Sequence, residues 1–308
     1  MNGRAAALGA GTVLNALATG VGSAFAIDAE TRATVELTPG GDVTGEIDGA
    51  PDADTRLIER CVSLVTERYG DGEGGRVRTE SDVPMASGLK SSSAAANATV
   101  LATLDALGVP VADASDADEA SDANDAGRAA DDGETAGITR EDACRLGVRA
   151  ARETGVAVTG AFDDASASML GGVTVTDNAE DALLSREAVE WDALVWTPPE
   201  RAFSADADAS RCELVAPMAR LVAELALDGR YGEAMTVNGL AFSAALGYPT
   251  DPAVEAMPHA DGVSLSGTGP SVVAVGERSD LARVRERWDE RPGQTWLTTT
   301  RNDGARTL

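Results

Sequence analysis

The sequence predicts a mixed helix–strand fold, α/β or α+β, in two modest domains. Three observations carry this. Helical and strand patterns alternate through both halves of the chain. The 308 residues suffice for two modest domains or one large one, each with a sizeable core. Apolar residues make up 43% of the chain but aromatics only 4%, so the core must be built mainly from Ala, Val and Leu.

Residues 4–38 read as a strand, a small-residue loop and two strands, with "ATGVGSAFAID" as the Gly-rich connection and "ATVELT" (33–38) as a short β pattern. "TRLIERCVSLVTERYG" (55–70) is an amphipathic helix with Leu57, Ile58, Cys61, Leu64 and Val65 on one face, closed by Gly70. "GRVRTESDV" (75–83) follows as a strand. Pro84 breaks it, and a helix starts near Ser91–Ser93 and runs to about Leu107. Its apolar stripe is Val100, Leu101, Leu104 and Leu107; Gly108 and Pro110 mark its end.

Residues 113–137 are a low-complexity acidic insertion without large apolar residues. Such a segment cannot bury enough surface to offset the entropy of ordering, so it is expected to be disordered. A helix resumes at 139–155, where Thr139 and Asp142 resemble a capping box. "VTGAFDDASASMLGG" (158–172) is polar, small and bounded by Gly, which places Asp163 and Asp164 in a turn. "VTVT" and "ALVWT" read as strands, 212–229 and 231–247 as consecutive helices, and 261–277 as strand, Gly turn, strand. A helix at 279–290 and a strand at 295–300 follow. A domain boundary falls near 160, and no internal repeat is visible.

The formal charge is −26, from 51 acidic and 25 basic residues. Self-repulsion of that size weakens a compact chain at low ionic strength. At about 1 M salt the Debye length falls to roughly 3 Å and the repulsion is screened. Acid spread along the chain therefore points to a salty cytoplasm; an acidic protein that binds a cation or a basic partner is the alternative. The charge argues against nucleic acid or an anionic membrane surface as partner. No apolar run approaches the roughly 20 residues of a membrane span, and the N-terminus lacks a secretory pattern. A cytoplasmic protein is expected, and self-association stays open. Cys61, Cys144 and Cys212 sit in helical patterns without zinc or disulfide spacing, as buried small hydrophobes would. His259, the one histidine, reads as an exposed loop residue, and the tryptophans as packing residues.

The chemistry concentrates in "PMASGLKSSSAAA", from Pro84 through Met85, Ala86, Ser87, Gly88, Leu89, Lys90, Ser91, Ser92 and Ser93 to Ala94 and beyond. A Gly-containing loop leads into a helix N-terminus, whose free N–H groups and positive dipole end attract anions. Gly88 allows close backbone approach. The serine hydroxyls could bind phosphate oxygens or Mg²⁺, and an ordinary serine N-cap is the plainer alternative. Lys90 is the only lysine of the chain. The stretch is not a Walker A loop, because Leu89 separates Gly88 from Lys90 and position 83 is Val.

"PMASGLKSSSA" resembles the second motif of the GHMP kinases, P-x-x-x-G-L-x-S-S-x-A, matched by Pro84, Gly88, Leu89, Ser91, Ser92 and Ala94. Most members carry Gly after the Leu. Lys90 there, with the third serine, is similar to the archaeal shikimate kinase branch. "GAGTVLNALATGVGSAFAID" (9–28) sits where the family's substrate motif lies, and "SLSGTGPSVVAV" (264–275) resembles its third motif. The resemblance implies an α+β GHMP kinase fold. A ribosomal-S5-domain-2-like N-terminal domain (1–160) would carry the 113–137 insertion, and a ferredoxin-like C-terminal domain would span 161–308. It implies ATP and Mg²⁺ as cofactors, with phosphates on 84–94 and the metal on Ser91 and Ser92. It also implies Asn15, Thr19, Gly267, Thr268 and Gly269 near the substrate. The family's spacing back from Gly171-Gly172 lands on Asp164 as the residue facing the acceptor hydroxyl, or on Asp163 if shifted by one. Lys90 beside the phosphates would offset developing charge. The implied reaction phosphorylates shikimate to shikimate 3-phosphate in aromatic amino acid synthesis. Homoserine or mevalonate kinase, a non-catalytic sensor of the same fold, and an interaction protein built around the acidic insertion are the alternatives.

Overall fold

The computed structural model describes residues 1–112, 137–156, 161–200 and 208–308. The acidic insertion and the expected boundary at 160 lie outside the described residues, apart from Gly137. In chain order the elements are β1 (Asn2–Leu14), a 3₁₀ turn (Ala16–Ala18), β2 (Val21–Thr38), β3 (Val43–Ile47), α1 (Arg56–Tyr69), β4 (Gly74–Ser81), α2 (Ser91–Leu107), β5 (Val111–Ala112), β6 (Ile138–Thr139) and α3 (Arg140–Glu153). Then come α4 (Phe162–Leu170), β7 (Val173–Asp177), β8 (Ala182–Glu187), β9 (Asp192–Thr197), α5 (Ala209–Glu213), α6 (Ala216–Leu227), α7 (Tyr231–Leu246), α8 (Asp251–Ala256), β10 (Gly262–Leu265), β11 (Val272–Gly276), α9 (Arg278–Trp288), β12 (Gln294–Thr299) and β13 (Arg306–Thr307).

Two sheets organise the chain. The first has strand order β13-β1-β2-β4-β3, with β7 and β8 joined through β2. Where the sequence suggests two strands, β2 is one strand of 18 residues. It is that long because its two ends have different partners: Val21–Phe25 pairs with β7 and Thr31–Thr38 with β4. Strands 173–187 thereby extend the first sheet past residue 160. The second sheet runs β10-β11-β9-β12, all antiparallel.

Helices α1 to α4 pack with β1, β2 and β4 around an Ala- and Val-rich core. The helix α2 lies close on β1 because both surfaces are small: a Cβ at Gly3 would come within 2.0 Å of the Ala102 carbonyl. The second sheet is buried on both faces. Along β9, Ala193 and Val195 join the core shared with β2, β7 and α7, while Leu194 and Trp196 face α8 and α9. This is the period-2 alternation of a strand. All five apolar residues expected on the face of α1 are buried, as are Cys61, Cys144 and Cys212. Among the described residues no helix is long and apolar enough to cross a membrane. His259 departs from expectation: it is half-buried in the turn after α8, its N–H bonded to the Ala256 carbonyl at 2.9 Å.

Candidate active site

Residues 82–90 carry the chain from β4 into α2. Val83 and Leu89 are buried in the shared core and pin both ends of this loop. Between them Ser87 Oγ donates to the Pro84 carbonyl at 2.8 Å. Ala86, Gly88 and Lys90 all take positive φ, 54°, 83° and 65°. Left-handed residues interspersed in a loop turn backbone N–H groups toward one concavity that suits an anion. Met85 is exposed and Ala94 fully buried, so the motif runs from surface to core.

The first backbone bond of α2 is Ala94 N–H to the Lys90 carbonyl, 3.0 Å. The N–H groups of Ser91, Ser92 and Ser93 therefore have no intrahelical acceptor, and no side chain caps the end. Ser92 is exposed, Ser91 half-buried and Ser93 buried.

The two carboxylates lie in the first turn of α4, not in a turn before it. Adjacent in sequence, they meet different surroundings. Asp163 is buried; its Oδ1 accepts from Asn178 Nδ2 at 2.7 Å, and its N–H donates to Asn178 Oδ1 at 3.0 Å. Its Oδ2 lies over Gly22, where a Cβ would come within 2.4 Å. Burial, and then the charge of Asp164, push this carboxyl up to about 7, against the opposing pull of Lys90 and Asn178. Asp164 has a side chain 22% exposed, and its Oδ1 sits 2.6 Å from Lys90 Nζ. The Lys90 side chain is only 5% exposed. Its ammonium lies against Gly267, where a Cβ would approach it to 2.8 Å.

The Gly-rich turn at 266–270 closes over the loop. Ser266 Oγ donates to the Gly88 carbonyl (2.9 Å) and Ser271 N–H to the Ser87 carbonyl (3.2 Å). A Cβ at Gly88 would meet the Ser266 carbonyl at 2.1 Å, so only glycine fits there. Gly267 and Gly269 are left-handed, Thr268 is buried, and the Tyr248 ring lies on Gly269. The N-terminal stretch reaches the same turn. Thr12 Oγ1 accepts from Gly267 N–H (2.7 Å), and Asn15 Nδ2 donates to the Gly267 carbonyl (2.9 Å). Asn15 Oδ1 accepts from Leu17 N–H (2.9 Å), so its amide braces the loop. Thr19 Oγ1 is buried with no hydrogen-bond partner among the described residues.

The three sequence stretches thus converge on Lys90, Asp164 and Gly267. Sequence reasoning misses Thr12, Asn178, Asn238 and Ser266. They are single polar residues at strand ends and in a helix, with no spacing that marks them.

Residues 56–172 match the family model described as GHMP kinases N terminal domain. The chain is 64% identical, over 308 residues and 100% of both sequences, to the shikimate kinase of Halobacterium salinarum. The chain belongs to the shikimate kinase family. The shikimate kinase of Methanosarcina mazei is 45% identical over 309 residues, covering 99% of this chain and 96% of that one. Among solved structures, the homoserine kinase of Cytophaga hutchinsonii superposes with a TM-score of 0.69 at 15% identity, covering 100% of this chain and 97% of its own. The Lactococcus lactis galactokinase complexed with galactose gives 0.70 at 12%, covering 100% and 95%. At those identities the likeness shows the fold, which is the α+β GHMP kinase fold. In this shikimate kinase family setting, the loop, the open helix start and the Asp163-Asp164 pair all fall inside the matched 56–172 segment. A kinase of this family uses ATP.

Proposed function

We propose that this chain transfers the terminal phosphoryl group of ATP to the 3-hydroxyl of shikimate, giving shikimate 3-phosphate and ADP for aromatic amino acid synthesis. The observation that carries the site is the pairing of Lys90 with Asp164, 2.6 Å apart beside an open helix start. The acceptor comes from the full-length relatives named shikimate kinase.

Asp164 is the partly exposed carboxylate and accepts the proton of the acceptor hydroxyl as that oxygen bonds to phosphorus and the bond to the ADP oxygen breaks. Asp163, buried and held by Asn178, fixes the first turn of α4. The N–H groups of Ser91–Ser93 and the 86–90 backbone bind phosphate oxygens. Lys90 stabilises the charge that builds on the transferring group and keeps Asp164 in place. Mg²⁺ prefers hard oxygen ligands and keeps water and phosphate oxygens in its shell. The Ser91 and Ser92 hydroxyls and the Asp164 carboxylate supply such donors, and no group of three His, Cys, Asp or Glu collects among the described residues. The residues fit an ion shared with the nucleotide, which would neutralise phosphate charge.

The test is ADP release with ATP, Mg²⁺ and molar salt against shikimate, homoserine and mevalonate, with Lys90→Gly and Lys90→Arg in parallel. Turnover with shikimate alone is expected, with kcat reduced in both variants. Turnover with another acceptor instead would overturn the substrate. None with any would favour a sensor. Unchanged kcat and KM in both variants would remove Lys90 from the mechanism.

A further inference from the structure

The acceptor in this reading carries a carboxylate, and the ammonium of Lys90 is already engaged by Asp164. A second cation, Arg211, stands on the helix that packs on the Ala16–Ala18 turn. Helix α5 packs against the 3₁₀ turn at Ala16–Ala18 and against α7. From it Arg211 Nε donates to the Ala245 carbonyl at 2.6 Å. This carbonyl belongs to the last turn of α7, the negative end of that helix, which anchors a cation. The two Nη groups of Arg211 have no acceptor among the described residues. Asp208, on the same segment, is turned to Ser210, accepting from its N–H (3.1 Å) and Oγ (2.6 Å).

The same helix α7 ties this corner to the reacting groups. Its Asn238 Oδ1 accepts from Asn15 N–H at 2.9 Å. Beyond its end, Tyr248 covers Gly269. Asn15 in turn holds Gly267, which abuts Lys90 Nζ. The loop between carries Thr19 Oγ1, buried and without a partner among the described residues.

We propose that Arg211 binds the carboxylate of the acceptor through its Nη groups and so sets the specificity of this site for an anionic ring alcohol. The inference rests on shikimate being the acceptor. A planar guanidinium meets a carboxylate with two parallel N–H···O bonds, which lysine cannot reproduce.

The experiment compares wild type, Arg211→Lys and Arg211→Met with shikimate and with shikimate methyl ester, which keeps the ring hydroxyls and loses the charge. Wild type should favour shikimate over the ester in kcat/KM. In Arg211→Met, KM for shikimate should rise by roughly 10- to 100-fold, as expected for loss of a hydrogen-bonded charge. KM for ATP should stay the same, and the preference over the ester should collapse. Arg211→Lys should recover only part of the loss. Equal use of acid and ester by the wild type would overturn the proposal even if neither variant folds. So would a variant whose KM for shikimate is unchanged, or one that loses acid and ester alike. Failure of the substrate reading looks different: the wild type would then turn over neither compound.

Discussion

Lys90 sits at φ 65°, ψ 30°, a left-handed backbone that costs a residue with a side chain roughly 1–2 kcal/mol. Glycine, the usual residue at this place in the motif, avoids that cost. Lysine is tolerated here because its ammonium reaches Asp164. The two aspartates separate on the same logic of surroundings. Asp164→Asn should lower kcat by roughly 10²- to 10⁴-fold, the range for a lost general base. Asp163→Asn keeps the acceptor oxygen for Asn178 and should stay within a few-fold of wild type. The inverse ranking in steady-state assays would move the proton acceptor to Asp163. A pH effect distinguishes Asp163 further. Its folded pKa is raised from 3.8 to about 7. The folded state therefore holds this proton more tightly, and the associated stability is complete below about pH 4 and lost as pH rises through 7. The Tm gain of Asp163→Asn over wild type should grow between pH 5 and pH 8. An equal difference at both pH values would show that burial does not hold the proton there.

At the scale of elements, legibility followed apolar periodicity. Helix α1 could be read because its buried residues recur at helical spacing; α2 is buried almost continuously from Ser93 to Leu104, so the expected stripe of Val100, Leu101, Leu104 and Leu107 marks only part of its packed surface. The strands β3, β8 and β13 could not: they are short, and most of their residues are half-buried or exposed, so no alternation marks them. The length of β2 depends on pairing with β4 and β7, which lie far away in sequence. The 84–94 stretch could be singled out because glycine, lysine and serines sit within a few residues of one another. The ion pair of Lys90 with Asp164 could not, since it joins two elements through the fold alone. The contact of the two Gly-rich loops gives a sharp test. Gly88→Ala would place a methyl 2.1 Å from the Ser266 carbonyl at a φ of 83°. It should raise KM for ATP strongly, and titration of a nucleotide should show weakened binding. Unchanged affinity would mean the loops can part without harm.

Over the whole molecule the charge of −26 must be screened. Many arginines are committed to surface pairs, among them Arg60 with Glu67 and Glu153, and Arg301 with Asp28 and Asp303. Exposed pairs of this kind add little each, and the surplus acid repels. Tm should therefore climb steadily as KCl rises from about 0.1 M toward molar levels, where the Debye length is roughly 3 Å. A Tm that is flat or falls with salt in differential scanning fluorimetry would refute this. The clasp of residues 264–271 on the 84–90 loop also has a temporal side. On the ribosome the loop emerges early, but Ser266 and Ser271 follow only after most of the protein has been made, and β13 reaches β1 later still. A nascent chain halted before residue 264 would carry every residue of the 84–90 loop and still lack the partner that holds it in shape. Translation, not only folding, thus decides when this enzyme can first grip a nucleotide.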